Sequence, residues 1–385
     1  MERLLQLISD QIKYKDCFDA LEQRLSIFAV PMSQTPQEPL YHGEGDVWSH
    51  TKMVCQALVQ LEAFAQLDEQ RQQAVFLAAL LHDIGKIRTT RLEQGRWTSP
   101  NHTVVGAKMA RQFLWQELGM CGTPEKQQLR ETVCNLIRYH SVPPHVIDDP
   151  NGKRRLMAIA ANQGLCPMFT VALLCLLCQA DALGRVCVDQ QHMLEQIQLC
   201  AELARESGCY AGAFPFPNEH TAYAYLSGRE IPPEVALYDD SWGPVILVCG
   251  LPGTGKDTWI RENCSQLPMI SLDEIRQELH IAPMDNQNPV AELARERAKD
   301  LLRKRQRFVW NATNISPMVR GKQLELFARY GAATRIVWLE TGWQEQLRRN
   351  GNRQEQVPEA AICHMMEQMG LPEAKEAHFV TWQCV

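Results

Sequence analysis

From Val245 to Trp259 the chain reads Val-Ile-Leu-Val-Cys-Gly-Leu-Pro-Gly-Thr-Gly-Lys-Asp-Thr-Trp. A short apolar run ends in a glycine-rich turn, followed by a lysine and the start of a helix. The spacing Gly250-x-x-x-x-Gly255-Lys256, with Gly253 and Thr254 inside it, curls successive backbone N–H groups around phosphate oxygens. The helix behind it adds the positive end of its dipole, and Lys256 reaches the outer phosphates. Strand before and helix after are the context this turn requires. The stretch therefore implies a nucleoside triphosphate, ATP or another, together with Mg2+. The place after the lysine ordinarily carries Ser or Thr, whose hydroxyl binds magnesium. Here Asp257 stands in that place and Thr258 follows one residue late.

The residues around this stretch continue the alternation. Apolar, β-branched runs at Val245–Cys249, Met269–Leu272, Phe308–Asn311 and Thr334–Leu339 are separated by helical patterns. That is the signature of a parallel sheet covered by helices. The preceding half reads differently. Apolar faces at helical spacing recur in Val47–Leu61, Gln72–His82, Val104–Leu118, Leu129–Tyr139, Leu156–Ala161, Phe169–Gly184 and Met193–Arg205, with no convincing alternating strand. The expected fold class is an all-α helical domain followed by an α/β phosphate-loop domain with a parallel sheet. In residue numbers, 1–35 forms an N-terminal helical extension and 36–205 the helical domain. A Pro- and Gly-containing linker spans 206–242, and 243–385 forms the α/β domain. Pro31–Pro39 reads as a loop.

With a net charge of −6 over 385 residues, no overall positive field draws the chain onto long nucleic acid; a local groove for a strand end is not excluded. The fourteen cysteines lack framework spacing and read as reduced thiols of a cytoplasmic protein. The longest apolar run, Phe169–Cys178, is too short to cross a membrane. Cys175-Leu-Leu-Cys178 lies inside that run and reads as a pair of buried thiols rather than half a zinc site.

In the helical half, His50, His82-Asp83, His102, His140 and Asp181 lie on or at the ends of successive helical patterns. Any one of them alone is more often a surface or core residue. Together, imidazoles and carboxylates suit a divalent metal whose open position gives a bound hydroxide for hydrolysis. Gly85 reads as the cap that closes the helix before His82-Asp83. His42 and His145 read as solvated loop residues.

In the α/β half, Asp273 and Arg276 in Ser271-Leu-Asp-Glu-Ile-Arg276 follow the second strand. A carboxylate at that sheet edge faces the reaction crevice and can accept the proton of an attacking hydroxyl, although an Asp there also caps helices. Arg348-Arg-Asn-Gly-Asn-Arg353 precedes a helix and can close over a triphosphate, or form an exposed basic loop. The arginines and lysines of 295–307 alternate with Glu292, Glu296 and Asp300 and read as a solvated face.

The ordered set of His50, His82-Asp83 and Asp181 resembles the HD phosphohydrolase superfamily, and His102 and His140 match its two-ion variants. That resemblance implies one or two divalent transition metal ions held by these six residues, with Lys86 and Arg185 as phosphate partners. GLPGTGKDTW, SLDEIR, the strand FVWNATNIS with Arg320 in the following helix, and RNGNRQEQVP resemble the phage-type 5′-OH polynucleotide kinase module. By that likeness Lys256 binds ATP phosphates and Asp273 is the general base. Arg276 and Arg320 hold the acceptor strand, and Arg349 and Arg353 form the lid. Joined in one chain, the two halves resemble the bacterial HD-domain/polynucleotide-kinase fusions that heal broken RNA ends. The resemblance implies RNA ends, or DNA ends, as partners and a functional link to an RNA ligase, with no membrane. A nucleotidase or second-messenger phosphohydrolase joined to a small-molecule kinase is the alternative reading, and an ATP-gated RNA-binding module is another.

Overall fold

A computed structural model describes every residue except Asp16 and Gln354; the latter belongs to the expected lid motif. The chain divides into two compact units, one of Met1–Met120 with Glu125–Pro215, the other of Cys121–Pro124 with Phe216–Val385.

The first unit is helical. The helices bearing His50, His82 and Asp181 are started by side-chain caps, each of the kind worth about 1 kcal/mol. Asp46 Oδ1 accepts from Ser49 N ahead of Val47–Leu58, and Asp68 Oδ1 from Arg71 N ahead of Glu69–Leu81. Thr170 Oγ1 accepts from Leu173 N ahead of Val171–Leu183. The stretch Ala74–Leu81 is fully buried, as its unbroken apolar sequence requires. The N-terminal segment belongs to this unit: Glu2–Tyr14 packs on Glu69–Leu81, and Ser26–Ser33 packs on Val47–Leu58. Ser26–Ser33 carries Pro31 within it, so the expected loop begins later.

Two strands stand in this unit where none was expected. β1 (Arg91–Glu93) and β2 (Arg96–Thr98) form an antiparallel hairpin. Its turn residues Gln94 and Gly95 both have positive φ, the geometry of a two-residue hairpin turn. The strands are exposed on most sides, so no hydrophobic alternation announced them.

The second unit holds a five-stranded parallel sheet among the described residues. Its strands are β3 (Trp242–Cys249), β4 (Met269–Ser271), β5 (Val309–Asn311), β6 (Ala332–Glu340) and β7 (Phe379–Cys384), in the order β4-β5-β3-β6-β7. β7 extends the sheet beyond the four strands expected from sequence. Central β3 is buried on both faces; Ile246 and Val248 pack with Ile260, Val309, Val337 and Leu339. The order in which strands are added reverses at β3, with β5 on one side and β6 on the other. The crevice beyond the carboxyl ends at such a switch point is where ligands bind in open parallel sheets. Register brings Val248, Asn311 and Ser271 into line at that edge. The segment expected to be a bare connection is partly built: Glu219–Leu226 is a helix, with Asn218 as its cap.

Candidate functional site

The helical unit gathers six of the expected residues into one buried cluster. His50 lies within its helix, His82 terminates Glu69–Leu81, His102 begins His102–Gln116, and His140 directly follows Pro124–Tyr139. Asp181 sits in the last turn of Val171–Leu183. Gly85 brings the His82-Asp83 turn against the start of the His102 helix. A Cβ there would lie 2.0 Å from His102 O and 2.6 Å from Gly106 N. Its backbone is right-handed helical (φ −64°), so close approach, not the expected left-handed cap, makes glycine necessary.

Each histidine ring is oriented by its Nδ1. The Nδ1 of His82 contacts Ala79 O at 2.8 Å, that of His102 Ser99 O at 2.9 Å, and that of His140 Ile137 O at 2.9 Å. A carbonyl can only accept, so these Nδ1 atoms carry the proton and each Nε2 is left as a lone-pair donor. His50 is held by Glu44, whose Oε1 lies 2.9 Å from Nδ1, while its Nε2 meets Asp181 Oδ1 at 2.9 Å.

Asp83 stands between two imidazole pairs. Its Oδ2 is 3.2 Å from His82 Nε2 and 3.9 Å from His50 Nε2; its Oδ1 is 3.5 Å from His102 Nε2 and 3.8 Å from His140 Nε2. Both carboxylate oxygens and His82 Nε2 are buried without a hydrogen bond. Native interiors rarely tolerate such orphaned groups, and a divalent cation satisfies them all. His50, His82 and Asp181 form one donor set, and Asp83, His102 and His140 another, each with its ligand atoms within 4.8 Å of one another. The donor chemistry and the orphaned atoms fit a divalent metal site.

At Asp83, Asp181, His102 and His140 the electrostatics favour the protonation states that ligands need, whereas at His50 they favour the protonated ring that a bound cation would have to displace. Burial opposes charge on Asp83, but Lys86 and His82 hold its carboxyl well below the usual range. Burial likewise opposes charge on Asp181, but Arg185 and His50 keep it well below. Burial, with His82 and His102 close by, depresses His140 to about 3, and burial lowers His102. In His50, burial is outweighed by the bonds to Asp181 and Glu44, and its pKa is raised.

Lys86 and Arg185, expected as phosphate partners, are engaged by carboxylates. Lys86 Nζ donates to Gln37 Oε1 at 2.7 Å and lies 2.8 Å from Asp83 Oδ2, unaligned for a hydrogen bond to it. Arg185 grips Asp181 through Nε at 3.1 Å and Nη2 at 2.8 Å. Sequence reasoning missed Gln37 and Glu44, and it misplaced His42. His42 is buried; its Nδ1 lies 2.8 Å from Glu44 Oε1, and burial lowers its pKa to about 4. Glu44 Oε2 also accepts from Val186 N at 2.9 Å. These residues come from a loop with no periodicity; the only signal was a carboxylate six residues before a candidate ligand. His145 is exposed as expected, and Cys175 and Cys178 are buried thiols.

In the α/β unit the phosphate loop follows β3. Gly250 (φ +152°) is crowded, for a Cβ there would lie 2.6 Å from Leu339 O and 2.7 Å from Thr254 Oγ1. Gly253 and Gly255 also have positive φ. Lys256 Nζ donates to Gly250 O and Leu251 O, both at 3.0 Å, so it spans the loop. Burial lowers its pKa to about 8. Thr254 is buried with its hydroxyl on Leu251 O, while Thr258 is exposed and accepts from Arg261. Asp257 accepts instead from Asn311.

Asp273 and Arg353 line a cavity of about 470 Å³ together with Asp257, Ser271 and Met269. Asp273 is exposed, contacts Arg276, and has Arg353 Nη2 3.7 Å away. Arg349 donates to Glu345 at 2.7 Å, and its Nη1 would be 3.3 Å from a Cβ on Gly255, beside the phosphate loop. Arg348 bonds Glu345 from the exposed side. One expectation is corrected. Arg320, expected on the acceptor strand, is completely buried. Its Nε and Nη2 donate to Glu376, and Nη1 donates to Asn314 O and Gly370 O. It ties its helix to the segment before β7 and has no face toward a substrate.

Comparison with known proteins agrees with this division. Residues 47–183 match the family model of the HD domain, and residues 245–372 match that of an AAA domain. No curated protein matches the chain. No helix among the described residues is long and apolar enough to cross a membrane. A helical HD domain is thus followed by a phosphate-loop, kinase-like domain with a parallel five-stranded sheet, a pairing of hydrolase-type with kinase-type machinery.

Proposed function

We propose that the chain heals broken RNA ends, with the HD domain clearing the 3′ end and the phosphate-loop domain phosphorylating the 5′ end. The observation that carries this reading is one chain holding both a buried imidazole–carboxylate cluster with orphaned ligand atoms and a lysine-spanned glycine loop beside an open cavity lined by Asp273. Many RNA breaks leave a 2′,3′-cyclic phosphate and a 5′-OH, whereas a ligase of the usual chemistry needs 3′-OH and 5′-phosphate. The two sites together would supply both.

His50, His82, Asp83 and Asp181 would hold one divalent ion, and His102 and His140 with Asp83 a second. Such ions, when bound, polarise phosphoryl oxygens and activate water for opening the cyclic diester and removing the monoester. The chain's own part is positional. Backbone carbonyls set the inward nitrogens, Glu44 orients His50, and Arg185 keeps Asp181 ionised. In the kinase-type site, Lys256 exchanges its loop carbonyls for ATP phosphate oxygens. Asp273 takes the proton of the 5′-hydroxyl as its oxygen bonds to Pγ; the bond from Pγ to the β,γ-bridging oxygen breaks and ADP leaves. Arg276 holds the acceptor phosphate, and Arg349 and Arg353 offset charge on the transferring group. An RNA ligase in the same cytoplasmic compartment would consume the product.

The test uses one RNA oligonucleotide with a 5′-OH and a 2′,3′-cyclic phosphate, γ-labelled ATP and a panel of divalent metals. The parent should label the 5′ end and release a 3′-OH. Lys256→Ala should lose only labelling, and Asp83→Ala only 3′ healing, so each variant's retained activity reports its folding. Turnover of free nucleotides with neither RNA end changed would overturn the reading in favour of a small-molecule or signalling enzyme.

A further inference from the structure

Phosphate-loop enzymes commonly hold the metal of the metal–nucleotide complex with a hydroxyl just after the loop lysine and a carboxylate from a strand end. In this chain the chemistry of the two places is exchanged. The residue after Lys256 is the carboxylate Asp257, and the neighbouring strand β5 ends in the carboxamide Asn311. Register sets Asn311 beside Val248 of β3, just below the loop. Asn311 Nδ2 donates to Asp257 Oδ1 at 2.7 Å, joining the two positions directly.

Two further facts separate this pair from an ordinary helix-end charge. Asn311 is only 6% exposed, and its Oδ1 has no hydrogen-bond partner. A buried amide with one end anchored and the other unsatisfied is costly unless a cation or donor completes it. Asp257, by contrast, is exposed and lines the cavity shared with Asp273 and Arg353. A carboxylate oxygen and an amide oxygen are both hard ligands of the kind Mg2+ takes. The hydroxyl of Thr258, the residue after Asp257, accepts from Arg261.

We propose that Asp257, steadied by Asn311, is the protein's ligand to the metal of the bound metal–nucleotide, with the Asn311 carboxamide oxygen as its partner. This rests on the loop being a nucleotide site. It carries a consequence that a hydroxyl would not. Without metal, the Asp257 carboxylate repels the triphosphate; with metal, it attracts the complex. Asp257 therefore makes the loop select metal-bound over free nucleotide.

Equilibrium binding of a fluorescent ATP analogue, in Mg2+ and in EDTA, tests this on the full chain. The parent should bind more tightly in Mg2+. Asp257→Asn should bind about tenfold more tightly than the parent in EDTA, where a like charge has been removed, and more weakly in Mg2+. The preference for Mg2+ would thus collapse from both sides. The double variant Asp257→Ser with Asn311→Asp restores the common arrangement and should recover the preference. If Asp257→Asn keeps the parent's Mg2+ preference and changes only the melting temperature, Asp257 is a helix-end charge and the proposal is overturned. If the parent binds no analogue under either condition, as Lys256→Ala is expected to, the nucleotide site itself fails and the proposal falls with it. A cooperative melting transition of the α/β unit, followed by its tryptophan fluorescence, shows that each variant is folded.

Discussion

The two sites solve opposite problems. The HD cluster is buried, and its ligands are oriented before anything binds: three imidazoles lean on backbone carbonyls, the fourth on Glu44, and Asp181 on Arg185. The kinase-type site is open, and its cations rest on stand-ins. Lys256 lies on loop carbonyls, Arg276 on Asp273, and Arg349 on Glu345. A metal site gains from rigidity because affinity depends on ligand geometry held by outer partners. A phosphoryl-transfer site must admit a nucleotide and an acceptor and then close around them, so its cations are better held by contacts that exchange readily.

The largest effect is expected at Gly85. Gly85→Ala forces a methyl into His102 O, and the His82-Asp83 turn must shift by about an ångström, enough to cost about 100-fold in activity. Metal content and phosphoesterase activity should both fall by about that factor while ATP binding is unchanged. Equal metal content in the variant and the parent would show that the turn is not held there by close packing.

A second test separates scaffold from substrate contact within the α/β unit. Arg320→Met leaves the half-buried Glu376 and the carbonyls of Asn314 and Gly370 without their donor, and should cost about 3 kcal/mol of unfolding free energy. Denaturant titration reads that loss. Where the variant remains folded, its affinity for RNA should match the parent's. A stable variant with weakened RNA binding would return Arg320 to the acceptor site.

The smallest effect is expected at the outer partner of His50. Glu44→Gln keeps the shape but removes the charge that fixes the ring, and metal affinity should fall about 10- to 100-fold. Competition with a chelator measures it; an unchanged affinity would mean that Gly184 O, 3.3 Å from Nδ1, suffices.

What the sequence made legible follows residue type and period. The phosphate loop, four of the sheet strands and the helices bearing His50, His82 and Asp181 all carry short-range signals: glycine spacing, β-branched runs, apolar faces. Glu44 and Gln37 carry none, because a loop carboxylate or amide that orients a ligand has no pattern of its own. Arg320 was misread for a related reason. Its partner Glu376 lies 56 residues onward, and an arginine in a helix looks alike whether it meets phosphate or a carboxylate of its own chain. The hairpin at Arg91–Thr98 escaped because exposed strands lack the alternation that burial imposes. β7 lay after the last motif, and nothing nearby marked its Phe379–Cys384 run as a sheet edge.

The carbonyl latches of His82, His102 and His140 have a consequence for the order of events in folding. A neutral imidazole can carry its proton on either nitrogen, and choosing one for each ring costs on the order of 0.4 kcal/mol of mixing entropy. Every latch closes on a carbonyl three residues back along the same chain, so the choice is made locally, as each helix end forms. The three lone pairs are therefore already assigned when the helices assemble, and an arriving cation meets a register of settled tautomers rather than rings that must first be sorted.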